Sequence, residues 1–174
     1  MELCTVTPAD VPVLDAINEA AFPPEERVAI ADLIATGDGR LDLLGIRDDA
    51  GALAGFLAVR RYERVQYLAY LAVAEDRRSQ GLGSRALALL RGRAAGDMLV
   101  VEFETPDGDP IRARRRAFYE RAGFTETGWY STYDGAEFSL ACAGPFDKAA
   151  FDRFVAYLRT IVPDFIPALY RKDT

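Results

Sequence analysis

Histidine is absent from the 174-residue sequence, and cysteine occurs only twice, as Cys4 and Cys142. Without an imidazole side chain, histidine-based metal sites and the Ser-His-Asp catalytic arrangement are excluded. Two cysteines are too few for a disulfide framework, and a reducing cytoplasm is the simpler context for such a chain. Any proton transfer near neutral pH must therefore use a carboxyl group, a tyrosine, a cysteine or water.

Long apolar runs and an excess of positive charge are also missing. No run approaches the roughly 18 residues of a membrane span, and the N-terminal stretch MELCTVTPAD lacks the apolar core of a signal peptide. The formal net charge of -6 argues against nucleic acid or an anionic membrane as a partner. The composition, 50% hydrophobic and 28% charged, is typical of one soluble globular domain. We predict a cytoplasmic protein without nucleic-acid or membrane partners.

Hydrophobic periodicity and turn residues predict seven strands and five helices along the chain. Three successive strands, over residues 41–47, 52–62 and 65–73, should be antiparallel neighbours, because short turns such as DDAG join them. The order β-α-α-β-β-β-α-β-α-β-β-α predicts a mixed sheet flanked by helices, in one domain of the α/β or α+β class. The other strands are predicted over 2–6, 97–105, 124–133 and 136–143, and the helices begin near residues 7, 25, 83, 111 and 147.

The stretch DRRSQGLGSRAL, residues 76–87, combines a charged loop, two glycines one residue apart and the start of a helix. Free N–H groups and the partial positive charge at a helix start form a ready site for phosphate. Gly81 and Gly83 have no Cβ, so the backbone can approach an anion closely. Arg77 and Arg78 add positive charge. The pattern indicates an anion-binding loop, and a plain glycine turn before a helix is the alternative.

Two familiar phosphate-binding loops do not fit this stretch. A P-loop ends in Gly-Lys followed by Ser or Thr, whereas here Gly83 is followed by Ser84 and Arg85. The dinucleotide-binding fingerprint would have its third glycine at position 86, where this chain has Ala86. The three antiparallel strands predicted before the loop also do not fit the start of a dinucleotide-binding fold. A nucleotide-binding protein that uses the loop for ATP is therefore a weaker alternative.

The segments VAEDRRSQGLGSRAL and AFYERAGF together resemble two motifs of the GNAT superfamily of N-acetyltransferases. The superfamily's acetyl-CoA motif, Arg/Gln-x-x-Gly-x-Gly/Ala after a strand, is filled by Arg78, Gly81 and Gly83. Its later motif, a helix that ends in Tyr-x-x-x-Gly-Phe, is filled by Tyr119, Gly123 and Phe124. The resemblance covers roughly residues 1–142, and a final helix and tail, 147–174, lie outside the shared core.

This resemblance implies a single-domain acyl-CoA N-acyltransferase fold with a central mixed sheet of about six to seven strands. It implies transfer of an acetyl group from acetyl-CoA, a cosubstrate used without metal, to a primary amine by direct attack in a ternary complex. The CoA pyrophosphate would lie on the loop's N–H groups, and the pantetheine arm would pair with the preceding strand, where an amide would stabilise the developing oxyanion. The cofactor-binding residues implied are Leu71, Val73, Arg78, Ser79, Gln80, Gly81, Leu82, Gly83 and Ser84.

Tyr119 matches the position at which many members of the superfamily carry the general acid. A tyrosine holds its proton at pH 7, because its unperturbed pKa is about 10, and it can protonate a departing thiolate. The alternative is a buried helix aromatic that packs beside Phe118 and Phe124.

The general base has no such counterpart, because the strand before the loop, residues 66–73, contains neither a carboxylate nor a histidine. The next strand offers Glu102 and Glu104, which share one face at period 2, with Val101 and Phe103 on the other. Two carboxylates on one face suit a cationic amine, so both are candidate catalytic residues. An exposed strand face and a water relayed to a carboxylate are the alternatives.

Two functions are therefore weighed. The first is an N-acetyltransferase that acts on a small amine or on the N-terminus of a peptide. The second is a non-catalytic acyl-CoA-binding module that senses or scaffolds. Tyr119 and the two glutamates favour the enzyme, because a pure sensor does not need them. The acceptor could be an antibiotic, a polyamine, an amino acid or a protein, and a homodimer stays open.

Overall fold

The computed structural model describes residues 1–35, 38–94, 96–133, 135–162 and 169–172. Within these ranges the strands are β1 (Glu2–Thr5), β2 (Leu41–Arg47), β3 (Leu53–Tyr62), β4 (Val65–Val73), β5 (Met98–Glu104), β6 (Thr125–Tyr133) and β7 (Ala136–Ala143). The helices are α1 (Val11–Ala21), α2 (Ile30–Ala35), α3 (Leu82–Arg93), α4 (Pro110–Arg121) and α5 (Lys148–Ile161). No described helix is long and apolar enough to cross a membrane. Much of the predicted tail, residues 163–168, 173 and 174, lies outside the described residues.

The seven strands form one mixed sheet in the order β1-β2-β3-β4-β5-β7-β6. β1 is antiparallel to β2, and β2 is antiparallel to β3. β4 and β5 pair in parallel over residues 65–67 and 98–100, and β4 continues beyond this pairing to Val73. β7 lies between β5 and β6 and is antiparallel to both. The predicted fold class, a mixed sheet flanked by helices, is confirmed.

The chain divides into two compact units. The first contains Met1–Arg61 and Leu68–Arg93, and the second contains Tyr62–Tyr67 and Ala94–Thr174. Strand β4 supplies residues to both units. The single domain expected over residues 1–174 stays a prediction.

The core of the first unit lies under α1 and α2. Leu14 and Ile17 of α1 pack with Ile30 and Leu33 of α2 and with Phe56 of β3. A spacing of three residues in each helix puts both apolar side chains on one face. All five are buried, and each such side chain stabilises the fold by about 1.5–3 kcal/mol relative to exposure.

The core of the second unit lies under α5. Phe151 and Phe154, again three residues apart, pack with Val65, Val100 and Leu140. The helix begins where the sequence predicts, because the Asp147 side chain accepts a hydrogen bond from the Ala150 N–H at 3.1 Å. An aspartate at this position satisfies one of the unpaired N–H groups at a helix start.

Helix α4 starts at a similar cap. The Asp109 carboxylate accepts hydrogen bonds from the N–H groups of Ile111 and Arg112, at 2.6 and 3.3 Å. Pro110 follows the cap, where its missing N–H costs nothing. The helix is rich in arginine, and its one buried residue among those described is Tyr119. The cap therefore fixes the helix that carries the predicted general acid.

The start of α1 differs from the prediction. The sequence predicts a helix from residue 7, but a 3-10 turn, Pro8–Asp10, comes first, and the α-helix begins at Val11. Pro12 explains the difference, because it has no N–H to donate to the carbonyl four residues earlier. The turn is closed instead by a bond from the Asp10 N–H to the Thr7 carbonyl at 2.9 Å.

Candidate active site

The loop between β4 and α3 contains two residues in the left-handed region. It begins with a 3-10 turn, Glu75–Arg77, and Ser79 and Gly81 then have φ angles of 63° and 77°. Such angles suit glycine and are uncommon for serine. The Gly81 carbonyl accepts the hydrogen bond of the Arg85 N–H at 3.0 Å. Gly81 therefore ends the loop and opens the helix, as the sequence predicts.

The space beside Gly81 is open. A Cβ at this position would have no neighbour within 4 Å among the described residues. The N–H groups of Leu82, Gly83 and Ser84 precede Arg85, so they come before the first hydrogen bond of the helix. These groups, with the positive end of the helix dipole, can bind a phosphate that enters the open space.

The two arginines at the start of the loop differ in their partners. Arg77 donates from Nη1 to Asp48 Oδ2 at 3.0 Å, and its Nε lies 3.2 Å from Asp76 Oδ2. Arg78 donates from Nε to the Val73 carbonyl at 3.2 Å, and no carboxylate in the described ranges forms an ion pair with it. The charge of Arg77 is thus already balanced, whereas Arg78 keeps its charge for a bound anion.

Other residues predicted to contact CoA lie on β4, just before the loop, and within the loop itself. Leu71 and Val73 are half-buried on β4, on either side of the buried Ala72. The Gln80 amide donates to the Asp76 carbonyl at 3.1 Å, which ties the loop back to the 3-10 turn. Pairing of the β4 backbone with a ligand stays a prediction.

Glu102 on β5 lies among neutral hydrogen-bond donors. The Tyr67 hydroxyl donates to Oε2 at 2.8 Å, and the Ser131 hydroxyl donates to Oε1 at 3.0 Å. Burial raises the pKa of the Glu102 carboxyl above its ordinary value, and the two hydroxyl hydrogen bonds counteract this rise in part. A carboxylate in such an environment binds a proton more readily than an exposed one.

Glu104, two residues further along the same face, is bound by cations instead. Its Oε1 lies 2.9 Å from Arg112 Nη2, and its Oε2 lies 3.1 Å from Arg115 Nη1. Arg112 also pairs with Asp107 at 3.0 Å. Both oxygens of Glu104 therefore hold α4 against β5 through ion pairs with two arginines of that helix.

Tyr119 is buried in a cluster of aromatic rings. Its ring stacks on Phe103 with centroids 5.4 Å apart, and it meets Phe118 and Phe124 edge-on at 5.1 and 5.6 Å. No described residue forms a hydrogen bond with the Tyr119 hydroxyl. Burial raises the pKa of Tyr119 to about 12, although the nearby charge of Arg115 acts in the opposite direction. Tyr119 therefore keeps its proton far above neutral pH.

The sequence did not point to Tyr67 and Ser131, the two donors to Glu102. A parallel pairing of β4 with β5 would have indicated Tyr67, because Tyr67 pairs with Val100, two residues before Glu102. No comparable signal exists for Ser131. It lies on β6, which β7 separates from β5 in the sheet, and this order is not visible in the chain.

Part of the chain matches a known protein family. A family model described as the acetyltransferase (GNAT) domain matches residues 41–126, which include the glycine loop, β5 and α4. The predicted resemblance to the GNAT superfamily is confirmed. The predicted enzyme class, an acetyl-CoA-dependent N-acetyltransferase, is confirmed with it.

Solved GNAT structures share the fold of this chain. A protein described as an acetyltransferase of the GNAT family from Bacteroides thetaiotaomicron is 25% identical with a TM-score of 0.78, covering 95% of this chain and 100% of that one. The ribosomal-protein-S18-alanine N-acetyltransferase from Escherichia coli is 21% identical with a TM-score of 0.63, over 84% and 96%. An aminoglycoside 6′-N-acetyltransferase complexed with coenzyme A is 15% identical with a TM-score of 0.68, over 84% and 99%. Comparison with curated protein sequences gave no match.

Proposed function

We propose that this protein transfers the acetyl group of acetyl-CoA to a primary amine of a small molecule or peptide, by direct attack in a ternary complex. The environment of Glu102 carries the proposal, because an ammonium acceptor must lose a proton before its nitrogen can attack. Two structural relatives support an amine acceptor, since one acts on the alanine of a ribosomal protein and the other on an aminoglycoside.

The glycine loop is the proposed site for the CoA pyrophosphate. Acetyl-CoA supplies an acetyl group activated as a thioester. The open space at Gly81 and the N–H groups of Leu82, Gly83 and Ser84 fit an anion, and Arg78 has an unbalanced charge beside them. The backbone of β4 near Leu71 and Val73 is the proposed partner of the pantetheine arm.

Glu102 is the proposed general base. A carboxylate has about four lone-pair positions, and the hydroxyls of Tyr67 and Ser131 occupy two of them. The remaining positions can accept a proton from an ammonium group. Because burial raises the pKa of Glu102, this carboxylate is a stronger base near neutral pH than an exposed glutamate.

Tyr119 is the proposed general acid for the departing thiolate. Its pKa of about 12 keeps the proton in place at every pH at which the enzyme would work. The same value makes Tyr119 a weaker acid than an ordinary tyrosine, whose pKa is about 10. Its contribution to the rate should therefore be smaller than that of Glu102.

The proposed function is tested by the release of free thiol from acetyl-CoA in the presence of a library of primary amines. We expect release that depends on one class of amine. Binding of CoA without turnover on any amine would instead favour the non-catalytic acyl-CoA module. Binding of ATP without binding of CoA would contradict both.

The loop itself is tested by Gly81→Val. A valine at a φ of 77° is strained, and its side chain would occupy the space proposed for the pyrophosphate. We expect CoA affinity, measured by calorimetry, to fall by about tenfold or more. Gly39→Val is the matched control, because Gly39 has a φ of 64° and equally open surroundings but lies outside the loop. Unchanged CoA affinity in a folded Gly81→Val protein would show that the loop is a simple turn.

A further inference from the structure

The turn between β2 and β3 is built around one aspartate. Asp48 Oδ1 accepts hydrogen bonds from the N–H groups of Ala50 and Ala52, both at 2.9 Å. The Gly51 N–H bonds to the Asp48 carbonyl at 3.1 Å, and Gly51 has a φ of 81°. One carboxylate oxygen of Asp48 is therefore used inside the turn, which fixes the orientation of the whole side chain.

The second oxygen of Asp48 binds the start of the glycine loop. Its Oδ2 accepts from Arg77 Nη1 at 3.0 Å, and the Asp48 side chain is only 10% exposed. Arg77 is the last residue of the 3-10 turn and directly precedes Arg78. Because Asp48 is fixed by its own turn, the ion pair restrains Arg77 and, with it, the chain that enters the loop.

A second ion pair lies on the far side of the loop. Both oxygens of Asp49 accept from Arg85, each at 2.8 Å. The Arg85 N–H in turn donates to the Gly81 carbonyl at the end of the loop. The Asp49 and Arg85 side chains are 69% and 47% exposed, so this pair should contribute less than the one at Asp48.

We infer that Asp48, acting through Arg77, is a positioning residue for the pyrophosphate of CoA, with Asp49 and Arg85 as a weaker second pair. This inference rests on the proposed function of the glycine loop. An uncompensated aspartate beside a phosphate site would repel the ligand, but the charge of Arg77 balances that of Asp48. The ion pair instead holds the loop in one conformation. A loop that is already ordered loses less entropy when it binds its ligand.

The test is the CoA affinity of Asp48→Asn, measured by calorimetry on the full chain. Asparagine keeps an oxygen for the two N–H groups of the turn but loses the charge that holds Arg77. We expect CoA to bind about tenfold more weakly. Asp42→Asn is the matched control, since Asp42 is an aspartate of β2 that pairs with Arg61 at 2.8 Å and has no bond to the loop among the described contacts. It should leave the affinity unchanged.

Pantetheine, which lacks the pyrophosphate, separates positioning from a general loss of structure. We expect Asp48→Asn to leave the affinity for pantetheine, followed by ligand-observed NMR, unchanged. If Asp48→Asn weakened the binding of CoA and of pantetheine equally, Asp48 would have only a structural role, which would overturn the inference. A gain in CoA affinity that also becomes more sensitive to salt would show that the released Arg77 contacts the phosphates itself, which overturns the inference.

Arg77→Gln breaks the same pair from the other side and leaves the β2–β3 turn intact. It should lower the affinity for CoA as much as Asp48→Asn does. The double variant should bind CoA no more weakly than either single variant. Additive losses would contradict the inference. Wild-type protein that does not bind CoA would overturn the proposed function of the loop and this inference with it. Wild-type protein that binds CoA, with variants that bind equally well, would overturn the inference alone.

Discussion

Two glutamates on the same face of β5, only two residues apart, lie in opposite environments. Glu102 accepts hydrogen bonds from the neutral hydroxyls of Tyr67 and Ser131. Glu104 is bound by the guanidinium groups of Arg112 and Arg115. The first carboxylate is half-buried and has no cation among its described partners, while the second lies in a network of charges.

The difference shows that the partners of a carboxylate, and not its place in the strand, decide what it can do. A neutral environment penalises the charged form and makes Glu102 more basic. A pair of arginines fixes both oxygens of Glu104 in ion pairs. One strand thus provides a candidate base and a structural ion pair, and the following experiments separate the two.

Replacement of each glutamate by glutamine should have very different effects on turnover. We expect kcat of Glu102→Gln to fall by about 10³-fold, within the range of general base catalysis. Glu104→Gln should stay within about fivefold of wild type, because it removes two partly exposed ion pairs and leaves the proposed base in place. Steady-state kinetics with an accepted amine measure both. Equal losses in the two variants would remove the distinction between the glutamates.

Tyr119 stacks on Phe103, which lies on the other face of β5, and its role as the proposed proton donor can be tested separately. Tyr119→Phe removes one oxygen that has no described hydrogen-bond partner, so packing should be preserved. We expect kcat to fall by about 10²-fold, the lower end for general acid catalysis, while CoA affinity changes little. Kinetics paired with a thermal melt check this. Wild-type turnover would leave Tyr119 as a core aromatic.

Removal of either hydroxyl that bonds Glu102 should shift the pH dependence of kcat/KM in a defined direction. Both hydrogen bonds lower the pKa of Glu102, so Tyr67→Phe and Ser131→Ala should each raise it further. The base must be ionised to act, and the acid limb of kcat/KM should therefore move to higher pH in both variants. Ser139→Ala is the control, because this buried serine hydrogen-bonds Thr105 instead. A shift to lower pH would show that the hydroxyls do not stabilise the carboxylate.

The smallest expected effects are on stability. The folded-state pKa of Glu102 is raised, so its contribution to stability is fully present below the unfolded pKa of about 4.3 and is lost as pH rises. As the pH rises from acid to neutral, Glu102→Gln should therefore become more stable relative to wild type. Glu104→Gln should lose about 1 kcal/mol at pH 7, since its ion pairs are partly exposed. Urea unfolding at several pH values measures both, and the same pH dependence in both variants would contradict the comparison.

Much of the fold could be predicted from local signals. The bounds of β2, β4 and β7 agree with the prediction. Glycine or aspartate lies close to both ends of β2 and β7, which helps to mark where these strands begin and end. The glycine loop could also be placed, since its spacing and the following helix are both local features. The start of α1 could not be placed as well, because Pro12 moves the first α-helical hydrogen bonds along the chain.

The contacts of the candidate site depend on tertiary structure, and the sequence did not reveal them. Period 2 puts Glu102 and Glu104 on one face but cannot distinguish them. The distinction requires the sheet order, which brings Ser131 to Glu102, and the position of α4, which brings Arg112 to Glu104. The same holds for the contact between Asp48 and Arg77, whose residues are 29 positions apart.

The most direct test of Glu102 as the base is the dependence of kcat/KM on pH, measured with one amine for wild type, Glu102→Gln and Glu104→Gln. The ionisation of the amine is common to all three and cancels in the comparison. We expect wild type and Glu104→Gln to lose activity on the acid side at a pH above the ordinary glutamate pKa of about 4.3. Glu102→Gln should be slow throughout and lack that loss. An acid limb in Glu102→Gln identical to that of wild type would show that another group accepts the proton.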